Sequence, residues 1–514
     1  MNDFHTCIKQ WGDNLLYVGY ENGKRVQKKI PYKGKVWVPC ESQTGITDIF
    51  DNNLQQLDFD SIKDAKDYIN RYKDVENFKV YGTSQFQQLY IAEKYNTDIE
   101  YNISDILVFT IDIENMAASD GSFVSPEDAT SPITVITIHN SKTSKFMVFA
   151  NTAHTKSKVV NSFGDDVEYM EFDNEYSMLS SFLIYWESNY PDIVTGWNTR
   201  GYDIVYIINR MNIVMGEKTT KRLSPWGIVT SNRSNVKRFG RSEDKNIYEL
   251  YGINELDYMD LYMKYNISNS ESFALDFICE KELGENKISY KGSLDDLYIN
   301  DIQTYIEYNI HDVRLVVSLD KKKQFITLIV DMSYFGKTSM FNDTLGTVRY
   351  WEYLIFYYLY HQKKIPEITS SEHIEENQYV GAFVKEPIPG LYKWVVSVDA
   401  TSLYPSIIRQ LNIGPDTHIC ASTLSPSQLK YRTNNKEDYF DLSNIDNSVL
   451  LQNNWGLGCN NEIYNNDKQS FLSALMEMLF NNRKQFKATM LSYKKECSKV
   501  GEELEKRGII NDLQ

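Results

Sequence analysis

The sequence predicts a multidomain α/β protein, and three observations predict it. The chain has 514 residues, beyond what one hydrophobic core serves, so three or four structural units are expected. From Ile106 onward, short apolar runs alternate with amphipathic stretches, the pattern of a sheet with helices on its faces. A polar stretch over 364–378, containing Pro366, reads as a linker, and a second sheet-like run opens after it at Tyr379.

The elements follow in order. KKIPYKGKVWVPC reads as strand and hairpin material around Gly34, and DSIKDAKDYINRYKDV as an amphipathic helix. ILVFTIDIE, SPITVITIHN and KFMVFA are apolar strands. YSMLSSFLIYWESNY has the helical period; DIVTGWN is a buried strand, and DIVYIINRM is the helix that follows it. DIQTYIEYNIHDVRLVVSLDKKKQFITLIVDM reads as one long helical region. Val395 to Val398 read as a buried strand ending at Asp399, and Pro405 suits the first turn of a following helix. FLSALMEMLFNNRKQFKATMLSYKKECSKVGEELEKRG is a single long helix with a narrow apolar stripe, stopped by Gly508.

Composition narrows the class. An apolar fraction of 42% and a charged fraction of 24% are those of an ordinary globular chain. No run of about 18 apolar residues is present, so no membrane span is expected. The N-terminus lacks the charged-then-apolar design of a signal peptide. The six cysteines form no C-x-x-C pair, which argues against a zinc site or a disulfide framework and fits a reducing cytoplasm. The net charge of −16 argues mildly against nucleic acid, but phosphate binding needs only local basic surface. Lys218, Lys221, Arg222, Arg233, Lys237, Arg238, Arg241 and Lys245 crowd one stretch, which is otherwise a solvated charged loop.

The chemistry is carried by carboxylates. Asp112 and Glu114 alternate with Ile111 and Ile113, so on a strand both acids share one face. Acids paired on an apolar strand are costly unless a cation sits between them, although D-x-E is also a common solvated strand end. Asp203 follows a buried strand and the loop from Asn198 to Tyr202, near the strand's carboxyl end, where α/β folds place their sites. It is also a candidate helix N-cap. Tyr308 and Asp312 lie four apart and share a helix face, as an ordinary surface pair also does. Such acids suit Mg²⁺, which takes hard oxygen ligands, and two ions about 3.5–4 Å apart activate water and stabilise a leaving oxygen.

The order D-x-E, N-x-x-x-Y-D, Y-x-x-x-D resembles the three motifs of DnaQ-like proofreading nucleases. That resemblance implies an RNase-H-like 3′–5′ exonuclease domain. Asp112, Glu114, Asp203 and Asp312 are its implied metal ligands, and Tyr308 orients the attacking water.

D-A-T-S-L-Y-P-S-I-I, from Asp399, resembles motif A of family B DNA polymerases. The resemblance implies that Asp399 binds both polymerase metals. The backbone N–H groups of Ser402, Leu403 and Tyr404 would meet a triphosphate, with Tyr404 under the sugar. Arg483 and Lys487 resemble the finger pair that grips the incoming nucleotide. Tyr379-Val380-Gly381-Ala382 resembles the element that coordinates the two sites. The closest pattern is that of T-even-type phage replicative polymerases, through GAFVKEPIP and LDYMDLYMKY. That group implies a strand-transfer hairpin at Lys237 to Tyr248, with Lys237, Arg238 and Asn198 toward DNA, and Phe123 stacking on an unpaired end. Ala400 departs from the group, which carries a larger apolar residue there.

The implied domains are an N-terminal mixed domain over 1–105 with 325–367 returning to it, the exonuclease over 106–324, a partial palm over 368–466 and partial helical fingers over 467–514. No N-S-x-Y-G or D-T-D motif is present, so the second polymerase carboxylate is missing. The expectation is a split-polymerase subunit, or a shortened version of a longer chain. It takes two divalent ions per site, Mg²⁺ or Mn²⁺, and binds primer-template, single-stranded DNA and dNTP. A second chain brings the C-terminal half and, through it, a sliding clamp. The expected location is the cytoplasm, that of the host if the source is viral. The alternative is a stand-alone 3′–5′ exonuclease with a non-polymerising DNA-binding remnant.

Overall fold

The computed structural model describes residues 3–73, 75–118, 122, 124–238, 241–267, 270–368, 386–420, 448–458 and 462–507, with backbone alone at 234–238 and 241–245. The chain forms two compact units, Met1–Val38 with Gln56–His361, and Pro39–Gln55 with Gln362–Gln514.

The first unit opens with an antiparallel meander of β1 (Phe4–Trp11), β2 (Asn14–Glu21) and β3 (Lys24–Pro31). Next come β4 (Lys35–Pro39), β5 (Leu54–Asp58), α1 (Ile62–Tyr72) and α2 (Phe86–Lys94). The hairpin expected around Gly34 does not form. β3 pairs with β2, and the Gly34 carbonyl accepts the Phe59 N–H at 2.9 Å.

A six-stranded mixed sheet follows: β6 (Val108–Asn115), β7 (Ile133–Asn140), β8 (Lys145–Asn151), β9 (Val167–Phe172), β10 (Ile193–Thr195) and, farther along, Asn254–Glu255. Its spatial order is Asn254–Glu255, β10, β6, β7, β8, β9. β6 runs parallel to β10 and antiparallel to β7. The predicted α3 (Glu175–Ser188) and α4 (Asp203–Met215) cover one face. There Ile111, Ile113, Ile136 and Phe149 pack with Phe182, Trp186, Ile204 and Ile208. On the other face Val135, Phe146 and Val148 pack with Tyr305, Ile306 and Ile310.

After α5 (Glu217–Thr220), a two-stranded ribbon of β11 (Val229–Arg238) and β12 (Arg241–Leu250) leaves the sheet; Asn254–Glu255 is β13. Then come α6 (Tyr258–Tyr265), α7 (Leu275–Leu283), α8 (Leu294–Asn300), α9 (Ile302–Lys323), α10 (Phe325–Gly336) and α11 (Thr347–His361). The region expected as one helix is therefore two. Gln324 adopts a left-handed φ of 54° and caps α9, so α10 starts on a new axis.

Buried Asp192 ties the N-terminal meander to the sheet. It accepts from Thr6 Oγ1 (3.1 Å), Tyr20 Oη (2.6 Å), Arg25 Nε (3.1 Å) and the Leu107 N–H (2.9 Å).

In the second unit, α12 (Leu403–Gln410), β14 (His418–Ile419), α13 (Ser448–Gln452), β15 (Trp455–Leu457) and β16 (Ile463–Asn465) precede α14 (Phe471–Lys506). The expected buried strand at Val395 to Val398 is corrected. These residues are irregular, and Val395, Val396 and Val398 are exposed, since nothing among the described residues pairs with or covers them. Pro405 does sit in the first turn of α12. Among the described residues no helix is long and apolar enough to cross a membrane.

Candidate active site

The site forms where β6, the start of α4 and the middle of α9 meet. The two-residue period of β6 sends Ile111 and Ile113 into the α3–α4 core and turns Asp112 and Glu114 toward α9. Asn309 on α9 donates from Nδ2 to Asp112 Oδ2 at 2.6 Å. Tyr308 and Asp312 are both buried on that helix, which excludes the surface-pair reading.

Asp203 is the first residue of α4 and not its cap, because Tyr202 holds the cap position. Its Oδ1 accepts the N–H of Ile113 at 3.1 Å. The loop before it is built for close approach. A side chain at Gly196 would meet the Ile111 carbonyl at 2.3 Å. Asn198 sits at a φ of 70°. Asp257, buried at the start of α6, accepts the N–H groups of Asn198 (3.0 Å), Arg200 (3.2 Å) and Met259 (3.0 Å). One carboxylate thus fixes the turn that delivers Asp203.

Lys287 completes the site. Its Nζ pairs with Asp312 Oδ2 and donates to Tyr308 Oη at 3.1 Å. Burial works against its charge, but Asp312 and Tyr308 outweigh it and raise its pKa above the ordinary lysine value.

The electrostatics are those of crowded, desolvated acids. Burial, then Asp203, Glu114 and Asp312, raise Asp112 well above the ordinary carboxylate range. Burial and then Asp312 push Glu114 up to about 8. Burial pushes Asp203 up to about 7, against the N–H bonds from Ile113 and its own backbone. Burial raises Asp312 too, although Lys287 opposes it. Ligand oxygens of Asp112, Glu114 and Asp312 all lie within 4.8 Å of one another. Asp312 Oδ1 is buried with no hydrogen-bond partner. An orphaned carboxylate oxygen beside other, half-buried acids is what a hard divalent cation satisfies. The residues therefore fit such an ion, with Asp203 beside them.

The polymerase-like residues lie in the second unit. Asp399 is exposed. Leu403 and Tyr404 are exposed at the start of α12, after Ser402 at a left-handed φ of 52°. Arg483 on α14 reaches this turn, donating from Nη1 to Ser402 Oγ at 2.6 Å. Lys487 is exposed one turn further on. Lys237 and Arg238 lie on β11 at the end of the ribbon, in register with Ser242 and Arg241. Phe123, Tyr379 and Gly381 fall outside the described residues.

Sequence reasoning missed Lys287, Asn309 and the role of Asp257. Asn309 is three residues before Asp312, so helical spacing signals it. Asp257 lies in the LDYMDLYMKY run. Lys287 follows α7 in an irregular segment with no periodic signal.

A sheet-and-helix unit holding a partly buried carboxylate cluster is followed by a unit in which Ser402 turns the chain into α12. The chain belongs to the family B DNA polymerases: the family description "DNA polymerase family B, exonuclease domain" matches residues 49–278, and "DNA polymerase family B" matches 347–505. Among its relatives is the DNA-directed DNA polymerase of Escherichia phage RB69, 35% identical over 521 aligned residues, covering 96% of this chain and 54% of that protein. The DNA-directed DNA polymerase of Enterobacteria phage T4 is 35% identical over 438 residues, 81% of this chain and 47% of that one. DNA polymerase 1 of Aeropyrum pernix is 25% identical over 336 residues, 60% of this chain and 32% of that one. The chain spans about half the length of the phage relatives it matches.

Proposed function

We propose that this chain is the N-terminal portion of a replicative DNA polymerase, acting as a 3′–5′ proofreading exonuclease and contributing motif A to a polymerase site completed by a second chain. The observation that carries the nuclease reading is the group of half-buried Asp112 and Glu114 with buried Asp312, whose Oδ1 is unpartnered. The domains read as an N-terminal domain over 1–105 rejoined by 325–367, an RNase-H-like exonuclease over 106–324, a partial palm over 368–466 and partial fingers over 467–514.

Asp112, Glu114, Asp203 and Asp312 hold two divalent ions, Mg²⁺ or Mn²⁺. When bound, these supply an activated water and stabilisation of the departing 3′ oxygen. The protein's own groups do the rest. Tyr308 would orient the attacking water, and Lys287 holds its phenol and neutralises part of the acidic charge. Asn309 fixes the orientation of Asp112. The β11–β12 ribbon, with Lys237 and Arg238, and Asn198, Phe123, Tyr379 and Gly381 meet DNA. In the second unit Asp399 awaits its partner carboxylate, while Ser402, Leu403, Tyr404, Arg483 and Lys487 form the nucleotide side. A sliding clamp is reached through the second chain, in the host cytoplasm.

The exposed apolar run Leu391, Trp394, Val395, Val396 and Val398 supports a missing partner, since such a patch is an interaction surface. The test mixes this chain with one bearing the N-S-x-Y-G and D-T-D motifs. Primer extension in the mixture alone is expected. A stable complex that never extends a primer contradicts the polymerase half and leaves a stand-alone exonuclease.

A further inference from the structure

Just after Glu114 the chain forms a loop over 116–132, between β6 and β7, and one side chain of α4 ties this loop to the β11–β12 ribbon. Asn209 donates from Nδ2 to the Pro126 carbonyl at 2.9 Å and accepts the Tyr248 hydroxyl on Oδ1 at 2.6 Å. A carbonyl can only accept, so the amide has one orientation and both of its ends are used. A second tie lies beside the first: Glu127 Oε1 accepts the backbone N–H of Asn246 at 3.2 Å. Asn209 stands about 9 Å along α4 from Asp203.

The rest of the loop is anchored elsewhere. Its return end is fixed to α4: Tyr206 Oη donates to the Ser131 carbonyl at 2.8 Å, and Arg210 Nη1 to the carbonyls of Ala129 (3.2 Å) and Thr130 (2.8 Å). Its first end is fixed by Asp295, which accepts the Ala117 N–H at 3.1 Å. Between these anchors the Pro126–Glu127 segment reaches the ribbon. The ribbon carries Arg233, Lys237 and Arg238 on β11 and Arg241 and Lys245 on β12, outnumbering Glu243, Asp244 and Glu249. Basic side chains of this kind hold nucleic-acid phosphates. A load placed on the ribbon by a duplex is therefore passed to the loop beside Glu114. The ring of Tyr248 packs against the α3–α4 core, so it stays in place whether or not its hydroxyl is bonded.

We infer that Asn209 and Tyr248 are positioning residues for paired 3′ ends: they lock the loop after Glu114 to the ribbon, so that a duplex held on the ribbon stays in register with the strand end entering the acids. This rests on the exonuclease reading. A single strand short enough to occupy the acids alone does not engage the ribbon and does not need the lock. A paired end does, because it must stay open while it enters. The lock sets the preference between paired and unpaired ends and touches no reacting atom.

The test compares Tyr248→Phe and Asn209→Ala with the parent, each as the full chain in Mg²⁺, on a labelled trinucleotide and on a fully paired primer-template. Each variant should lower kcat on the primer-template about tenfold, the effect of one hydrogen bond, and leave trinucleotide digestion unchanged. In Tyr248→Phe, hydrogen exchange should quicken at the Asp128 and Ala129 N–H groups, which close the loop's turn onto the Ser125 carbonyl. Equal loss on both substrates, or loss on neither, overturns the positioning role. Unchanged exchange in the loop overturns the lock. A parent chain that degrades neither substrate sinks the exonuclease reading and the role within it, while the exchange measurement still decides the lock on its own.

Discussion

Asp203 Oδ1 accepts the backbone N–H of Ile113, the residue between Asp112 and Glu114, at 3.1 Å. One hydrogen bond thus locks the start of α4 against the middle of the D-x-E strand. It fixes three site acids relative to one another without any ion, while α9 brings the fourth. The protein holds mutually repelling groups together through backbone contacts, so the cost of the cluster is built into the fold.

The first prediction concerns Lys287. Lys287→Met removes the cation beside Asp312 and the donor to Tyr308. Steady-state kinetics on single-stranded DNA should show kcat lower by roughly 10–100-fold, the cost of losing such a supporting partner, with KM little changed. The metal-free variant should also melt earlier at pH 8, and Mg²⁺ should restore most of that loss. An unchanged kcat removes Lys287 from the site.

A second prediction follows from proton linkage. Glu114 is pushed up to about 8 and Asp203 to about 7, by burial first in both cases. Unfolded, such acids titrate near about 4. Between these limits the folded chain holds more protons than the unfolded one, so stability falls as pH rises. The slope is about 1.4 kcal/mol per pH unit for each such proton. The metal-free Tm should therefore be higher at pH 5.5 than at pH 8. Glu114→Gln with Asp203→Asn should flatten the dependence. Mg²⁺ should raise Tm more at pH 8 than at pH 5.5, since its binding releases protons. A wild-type Tm that does not change with pH contradicts the picture of raised carboxylates.

Asp257 supplies the third. Asp257→Asn sets an amide where a carboxylate receives the N–H groups of Asn198, Arg200 and Met259. Asparagine caps helices about as well as aspartate, so the Met259 N–H keeps an acceptor and the loss falls on the loop N–H left facing the amide nitrogen. A positioning role requires more: kcat lower by roughly 10–100-fold and a higher Mg²⁺ concentration at half-maximal rate. A variant that is merely less stable, with the parent's Mg²⁺ dependence, makes Asp257 structural only.

Much of this was legible in the sequence because the signals are local. The period of two in ILVFTIDIE placed both acids on one face, and the i, i+4 spacing put Tyr308 and Asp312 on one side of α9. What failed was nonlocal. Val395 to Val398 have strand composition, but composition cannot supply the neighbouring strand that would bury them. The break at Gln324 was hidden because its flanks both have helical pattern and neither glycine nor proline marks it. Asp203 has the residue type and place of a cap, yet it sits one residue inside the helix with its carboxylate turned to β6. Lys287 arrives from an irregular segment, and only the tertiary fold brings it to Asp312.

The most direct test of the central claim follows a single-stranded oligonucleotide, labelled at its 5′ end, incubated with this chain and Mg²⁺. The account predicts a ladder of products shortened one nucleotide at a time from the 3′ end, abolished in Asp112→Ala with Glu114→Ala while the fold is kept. Retained degradation in that double variant, or cleavage beginning at internal positions, would contradict the assignment of these carboxylates to a 3′–5′ exonuclease.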